Sequence, residues 1–152
     1  MTTLIDTNIL LRFVEPNDPE YGLVRKAIRT LTESGETLCY AAQNLAEFWN
    51  VCTRPRVSNG LGLTPAETDV RATVIESRFR LLPDNERVHR EWRRLVVVHS
   101  VAGVQVHDAR LVATMLVHGV SRLLTLNDRD FVRYPNISVL HPRVLAPSAT
   151  GQ

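Results

Sequence analysis

Lysine is almost missing from this chain of 152 residues: Lys26 stands alone, and the other seventeen of its eighteen basic residues are arginine. Arginine grips phosphate with a planar fork of donors, although genomic base composition produces the same bias. The net charge is only +2. A nucleic-acid contact would therefore rest on local clusters, not on the field of the whole molecule. Cysteine is as scarce. Cys39 and Cys52 lie thirteen positions apart with no CxxC pattern and no neighbouring histidine cluster, so they read as two buried thiols of a reducing compartment.

No apolar run approaches the roughly 18 residues of a membrane span, and the N-terminus carries no targeting pattern, so the expected location is cytoplasmic. Ser58-Asn59-Gly60-Leu61-Gly62 lacks both a preceding strand and a following Gly-Lys-Ser/Thr, which makes it a flexible loop, not a phosphate cradle. The five histidines are scattered, without an HExxH pair or a triad spacing, and only His107 lies beside a candidate acid.

What is present is the composition of an ordinary folded domain, 44% hydrophobic and 22% charged. The pattern along the chain alternates. Residues 2–6 read as a strand, 8–14 as a short helix and 20–32 as a helix with Leu23, Val24, Ala27, Ile28 and Leu31 on one stripe. A strand at 37–41 and a helix at 43–53 follow, the latter burying Leu45, Phe48, Trp49 and Cys52. Thr64-Pro65-Ala66-Glu67 marks the start of a helix to about 79 by its cap, its proline and its acid. Helices at 84–98 and 108–118, then strands at 121–126 and 137–140, complete a single domain over 1–141, with a fraying tail at 142–152. Strands separated by helices imply right-handed crossovers and a parallel sheet covered on both faces, an α/β fold.

In such sheets ligands bind at the carboxyl ends of the strands. Asp6 ends the first strand, Asp128 and Asp130 follow the strand 121–126, and Asp108 opens the helix that feeds it. Clustered carboxylates repel unless a cation sits among them, and Mg²⁺ or Mn²⁺ prefers their oxygens. Such an ion would make a nucleophile of water and offset charge on a phosphodiester. Each acid also has a structural reading. Asp6 suits the N-cap of the following helix, unless Thr7 or Asn8 caps and frees its carboxylate. Asp128 and Asp130 suit a turn. Glu47 shares a polar side with Gln43, Asn50 and Arg54, whereas Asp108 falls in line with Leu111, Val112 and Met115, where an unpaired acid is costly.

Taken together, Asp6-Thr7-Asn8, Ala46-Glu47-Phe48, Asp108-Ala109 and Thr125-Leu126-Asn127-Asp128-Arg129-Asp130-Phe131 resemble the pattern of the PIN-domain ribonucleases, and within them the VapC-like toxins of toxin-antitoxin pairs. The resemblance covers residues 1 to about 141. It implies a three-layer α/β/α sandwich around a mainly parallel sheet, an endoribonuclease using Mg²⁺ or Mn²⁺, a homodimer and a small antitoxin partner covering the cleft. It also implies metal ligation by Asp6 and Asp108, with Glu47 and Asp130 as ligands or bases and Asp128 as an extra acid at the metal. Thr7, Asn8, Thr125 and Asn127 would orient them.

Arg54, Arg87, Arg90, Arg94 and Arg129 are candidate RNA contacts, although Glu86 and Glu91 among Arg87, Arg90, Arg93 and Arg94 favour a solvated helix face. Two other readings of the residues stay open. One is an aspartate-based phosphatase or phosphotransfer protein with Asp6 as nucleophile, disfavoured by the remote Lys26 and by Asn8 in place of a second acid. The other is a non-catalytic RNA- or protein-binding module.

Overall fold

The computed structural model describes residues 1–145. In chain order the elements are β1 (Thr2–Ile5), α1 (Thr7–Phe13), α2 (Tyr21–Glu33), β2 (Thr37–Ala41), α3 (Ala42–Thr53), α4 (Pro65–Arg78), β3 (Arg80–Leu82), α5 (Glu86–Val98), α6 (Val106–Val117), β4 (Arg122–Leu124), β5 (Ser138–Leu140) and α7 (Pro142–Leu145). Short 3₁₀ turns at Arg56–Ser58, Gly103–Gln105 and Asp128–Phe131 lie between them. The five strands form one sheet in the order β3-β2-β1-β4-β5, and every pairing is parallel.

Side chains alternate across a strand, and here the alternation divides the core in two. Leu4, Cys39, Ala41 and Leu123 point to the face covered by α5 and α6, where they meet Val88, Leu95, Leu111, Val112 and Met115. Ile5, Leu38, Tyr40 and Leu124 point to the other face, against Phe13, Val24, Ile28, Phe48, Cys52 and Ile75 of α1 to α4. Burying each such Leu, Ile or Phe contributes about 1.5–3 kcal/mol, so both layers are held by apolar packing. The result is the α/β/α sandwich. It brings the C-terminal ends of β1 and β4, the two central neighbours, to one edge of the sheet.

Three local features depart from the sequence reading. β3 is only three residues long, with Arg80 and Leu81 exposed, so no alternation marks it. The loop after α3 is pinned, not flexible: Gly60 N–H donates to Pro55 O, Gly62 N–H to Arg54 O and Leu63 N–H to Cys52 O. A Cβ at Gly60 would collide with the Arg54 carbonyl, which explains the glycine. The expected fraying from 142 does not hold at its start, because Pro142–Leu145 is helical, Pro142 is buried and Leu145 packs on the α1–α4 layer. The remainder of that tail lies outside the described residues.

Both cysteines are buried and free, and burial pushes their thiols up to about 12 (Cys39) and about 11 (Cys52). Among the described residues no helix is long and apolar enough to cross a membrane.

Candidate active site

Asp6 leaves β1 with its backbone N–H still bonded to Leu124 O at 3.0 Å, so its carboxylate stands at the shared edge of β1 and β4. It is itself the N-cap of α1. With φ −71° and ψ 159°, it turns Oδ1 back to accept from Thr7 N–H at 2.8 Å. The cap therefore does not fall to Thr7 or Asn8. The other oxygen, Oδ2, accepts from the Thr125 hydroxyl at 2.7 Å and from Asn8 Nδ2 at 3.3 Å. Asn8 Nδ2 also reaches Thr125 Oγ1 at 3.2 Å, and its amide oxygen accepts from Leu126 N–H at 3.1 Å. Asn127 donates its backbone N–H to Thr125 Oγ1 at 3.0 Å. Thr125 is fully buried, and its hydroxyl joins Asp6, Asn8 and the Asn127 backbone.

Glu47 comes from the opposite wall, on α3. Its Oε2 accepts from the Thr7 hydroxyl at 2.8 Å and its Oε1 from Gln43 Nε2 at 2.9 Å. Thr7 in turn accepts from Asn44 Nδ2 at 3.1 Å, while Asn44 Oδ1 accepts from Ala41 N–H at 2.8 Å. Asn44 has no exposed surface. Gln43 and Asn44 are absent from the sequence-derived site, yet they hold its second acid. A signal for Asn44 exists: it repeats at four-residue spacing with Phe48 and Cys52, the buried stripe of α3.

Asp108 lies in the first turn of α6, which starts two residues before it. Burial, then the charges of Asp6, Asp130 and Glu47, push its carboxyl up to about 6, against a smaller opposing effect of His107. Burial likewise raises Asp6, offset by the hydrogen bonds from Thr125 and Thr7 and reinforced by Glu47 and Asp130. Asp6 and Asp108, on different elements, thus both feel the charges of Glu47 and Asp130 across a single edge. Asp130, and not Asp128, is among the charges raising both carboxyls; both residues are exposed in the turn Asp128–Phe131.

The donors around Asp6 and Glu47 are neutral hydroxyls and amides, so the network orients negative charge without cancelling it. Among the described residues no three acidic, histidine or cysteine side chains stand close enough together to enclose a metal ion. The chemistry of the donors nonetheless fits a hard divalent cation. Magnesium takes only one or two carboxylates and keeps several waters, so a site of spaced, mutually repelling carboxylates suits it better than a closed cage would.

The five candidate RNA contacts lie on three segments: Arg54 at the end of α3, Arg87, Arg90 and Arg94 on α5, and Arg129 in the turn after β4. Arg54 Nη2 donates to Asn59 O at 3.1 Å within its own loop, Arg90 pairs with Glu86 and Arg94 with Glu91 on α5, and Arg87 and Arg129 are exposed.

A model of the PIN domain matches residues 3–137, and the chain belongs to the PIN-domain family. Its fold is similar to the VapBC2 complex of Rickettsia felis bound to a promoter DNA fragment, with 16% identity, a TM-score of 0.70 and coverage of 93% of this chain and 98% of that one. It is also similar to VapBC-1 of nontypeable Haemophilus influenzae, at 16% identity, TM-score 0.66 and coverage of 94% and 99%. VapC20 of Mycobacterium tuberculosis, a toxin that cleaves the sarcin-ricin loop, matches at 15% identity, TM-score 0.58 and coverage of 80% and 86%. At these identities the likeness is one of fold. A search of curated proteins gives no match.

Proposed function

We propose that this chain is a Mg²⁺- or Mn²⁺-dependent endoribonuclease, the toxin of a toxin-antitoxin pair. The observation that carries the reading is geometric: Asp6, at the end of β1, is bonded to Thr125 after β4, and Glu47 is joined through Gln43 to the first turn of α6, which bears Asp108. Membership of the PIN family supports it, as do the neighbouring VapBC complexes and the loop-cleaving VapC20. In this reading the protein is a cytoplasmic homodimer whose cleft a small antitoxin covers.

Asp6 and Asp108 would bind the ion, with Asp130 as a ligand or base and Asp128 as an extra acid that would bind it directly or through water. A divalent ion there supplies Lewis acidity, lowering the pKa of water and offsetting charge on the phosphate under attack. Glu47, held at both oxygens, would serve as a ligand or as the base that takes a proton from the attacking water. Thr7, Asn8, Thr125 and Asn127 hold the carboxylates in orientation. The phosphatase reading loses ground, because the chain's one lysine, Lys26, is exposed on α2 and not at the ends of the strands.

The test is cleavage of single-stranded and looped RNA by purified protein. Activity should require Mn²⁺ or Mg²⁺, stop with a chelator, and fall in Asp6→Asn and Asp108→Asn while both stay folded. Undiminished cleavage by both variants would remove the site assignment.

A further inference from the structure

The two acids on helices come from opposite layers. Glu47 rides on α3, whose Phe48 and Cys52 belong to one core, and Asp108 rides on α6, whose Leu111, Val112 and Met115 belong to the other. Apolar packing positions each helix against its own face of the sheet, so a direct link between the two acid-bearing turns lies at the sheet's edge. A groove of about 520 Å³ opens between the helices, lined by Gln43, Glu47, His107 and Arg110 among others.

One side chain crosses it. Gln43 lies one turn before Glu47, the spacing at which helical side chains meet. Its Nε2 donates to Glu47 Oε1 at 2.9 Å and also to the backbone oxygen of His107 at 2.8 Å, the residue directly before Asp108. Both partners are acceptors, so the nitrogen must occupy this position and the amide cannot be flipped. The same nitrogen therefore fixes the Glu47 carboxylate and ties it to the first turn of α6.

We infer that Gln43 is a positioning residue, a strap that sets Glu47 against the Asp108-bearing turn and so completes the site for a divalent ion. This rests on the metal-nuclease reading, and it assigns the task to a residue that neither ligates nor touches substrate. Thr7 holds the other Glu47 oxygen from α1, so loss of Gln43 leaves the carboxylate tethered on one side only and free to rotate.

The experiment compares the parent with Gln43→Met, which keeps the length of the side chain and removes its donors, and with Asn50→Ala on the same helix. In metal-free protein, the carboxyl ¹³C shift of Glu47 and the carbonyl ¹³C shift of His107 should both move in Gln43→Met and stay in Asn50→Ala. Calorimetric titration with Mn²⁺ alone should show about tenfold weaker binding in Gln43→Met, the cost usual for removing a group that orients a ligand, with the unfolding midpoint unchanged. In a Glu47→Gln background the same substitution should add nothing, because its effect passes through Glu47. Parent-like shifts, parent-like Mn²⁺ affinity, or an equal loss in the Glu47→Gln background would each overturn the strap. If the parent binds no Mn²⁺, the metal-nuclease reading fails, and the two carbon shifts alone decide whether the strap exists.

Discussion

The Thr125 hydroxyl donates to Asp6 Oδ2 at 2.7 Å, joining the ends of β4 and β1 across the strand pair at the centre of the sheet. Thr125 is fully buried, and its oxygen also accepts from Asn8 and Asn127. Thr125→Val keeps the shape and removes all three bonds. The variant should lose about 1–3 kcal/mol of stability, the range for stranding buried polar groups, measured by urea unfolding, and the Asp6 carboxyl should rise further.

Asn44 offers a stability test one hydrogen bond removed from Glu47. It bridges Ala41 N–H and the Thr7 hydroxyl with no exposed surface. Asn44→Leu strands the Ala41 N–H, removes a donor from Thr7 and should cost about 2–4 kcal/mol. The same unfolding assay checks it, with Asn50→Ala, an exposed position, expected within about 0.5 kcal/mol of the parent.

The acids also set a pH dependence for the metal-free protein. The carboxyl of Asp108 is raised in the folded state from 3.8 to about 6, so the native chain keeps a proton that the unfolded chain releases at lower pH. Its contribution is fully present below 3.8 and is lost as pH rises through about 6. Asp6 shifts in the same direction. Asp108→Asn should therefore match the parent near the acid end of the window and exceed it at neutral pH by about 1 kcal/mol, allowing for the screening of a half-exposed group. Thermal unfolding in chelator across the window reads this directly.

A divalent ion should reverse that penalty. At about 100 times its dissociation constant, Mn²⁺ should add about 2.7 kcal/mol to the stability of the parent. Neither Asp6→Asn nor Asp108→Asn should gain as much, and a thermal-shift titration compares the three.

These relationships were unequally visible in the sequence. The alternation Leu4/Ile5, Leu38/Cys39 and Leu123/Leu124 reads as strands buried on both faces, and the two cores bear this out. β3 was not visible, since three residues with two exposed carry no period, and α7 was masked by its proline. Asp108 was legible as an inward acid because its spacing with Leu111, Val112 and Met115 survives folding. The bonds of Gln43 and Asn44 were not, because they join residues 37 and 64 positions apart and depend on how two layers meet at one edge.

The central claim is that these acids hold a divalent ion that turns water against an RNA phosphodiester, and RNA cleavage in ¹⁸O-labelled water tests it most directly. Each bond cut should leave one ¹⁸O in the terminal phosphate, only with Mn²⁺ or Mg²⁺ present, and none with Asp108→Asn. Unlabelled 2′,3′-cyclic phosphate ends, formed equally well in chelator, would contradict it.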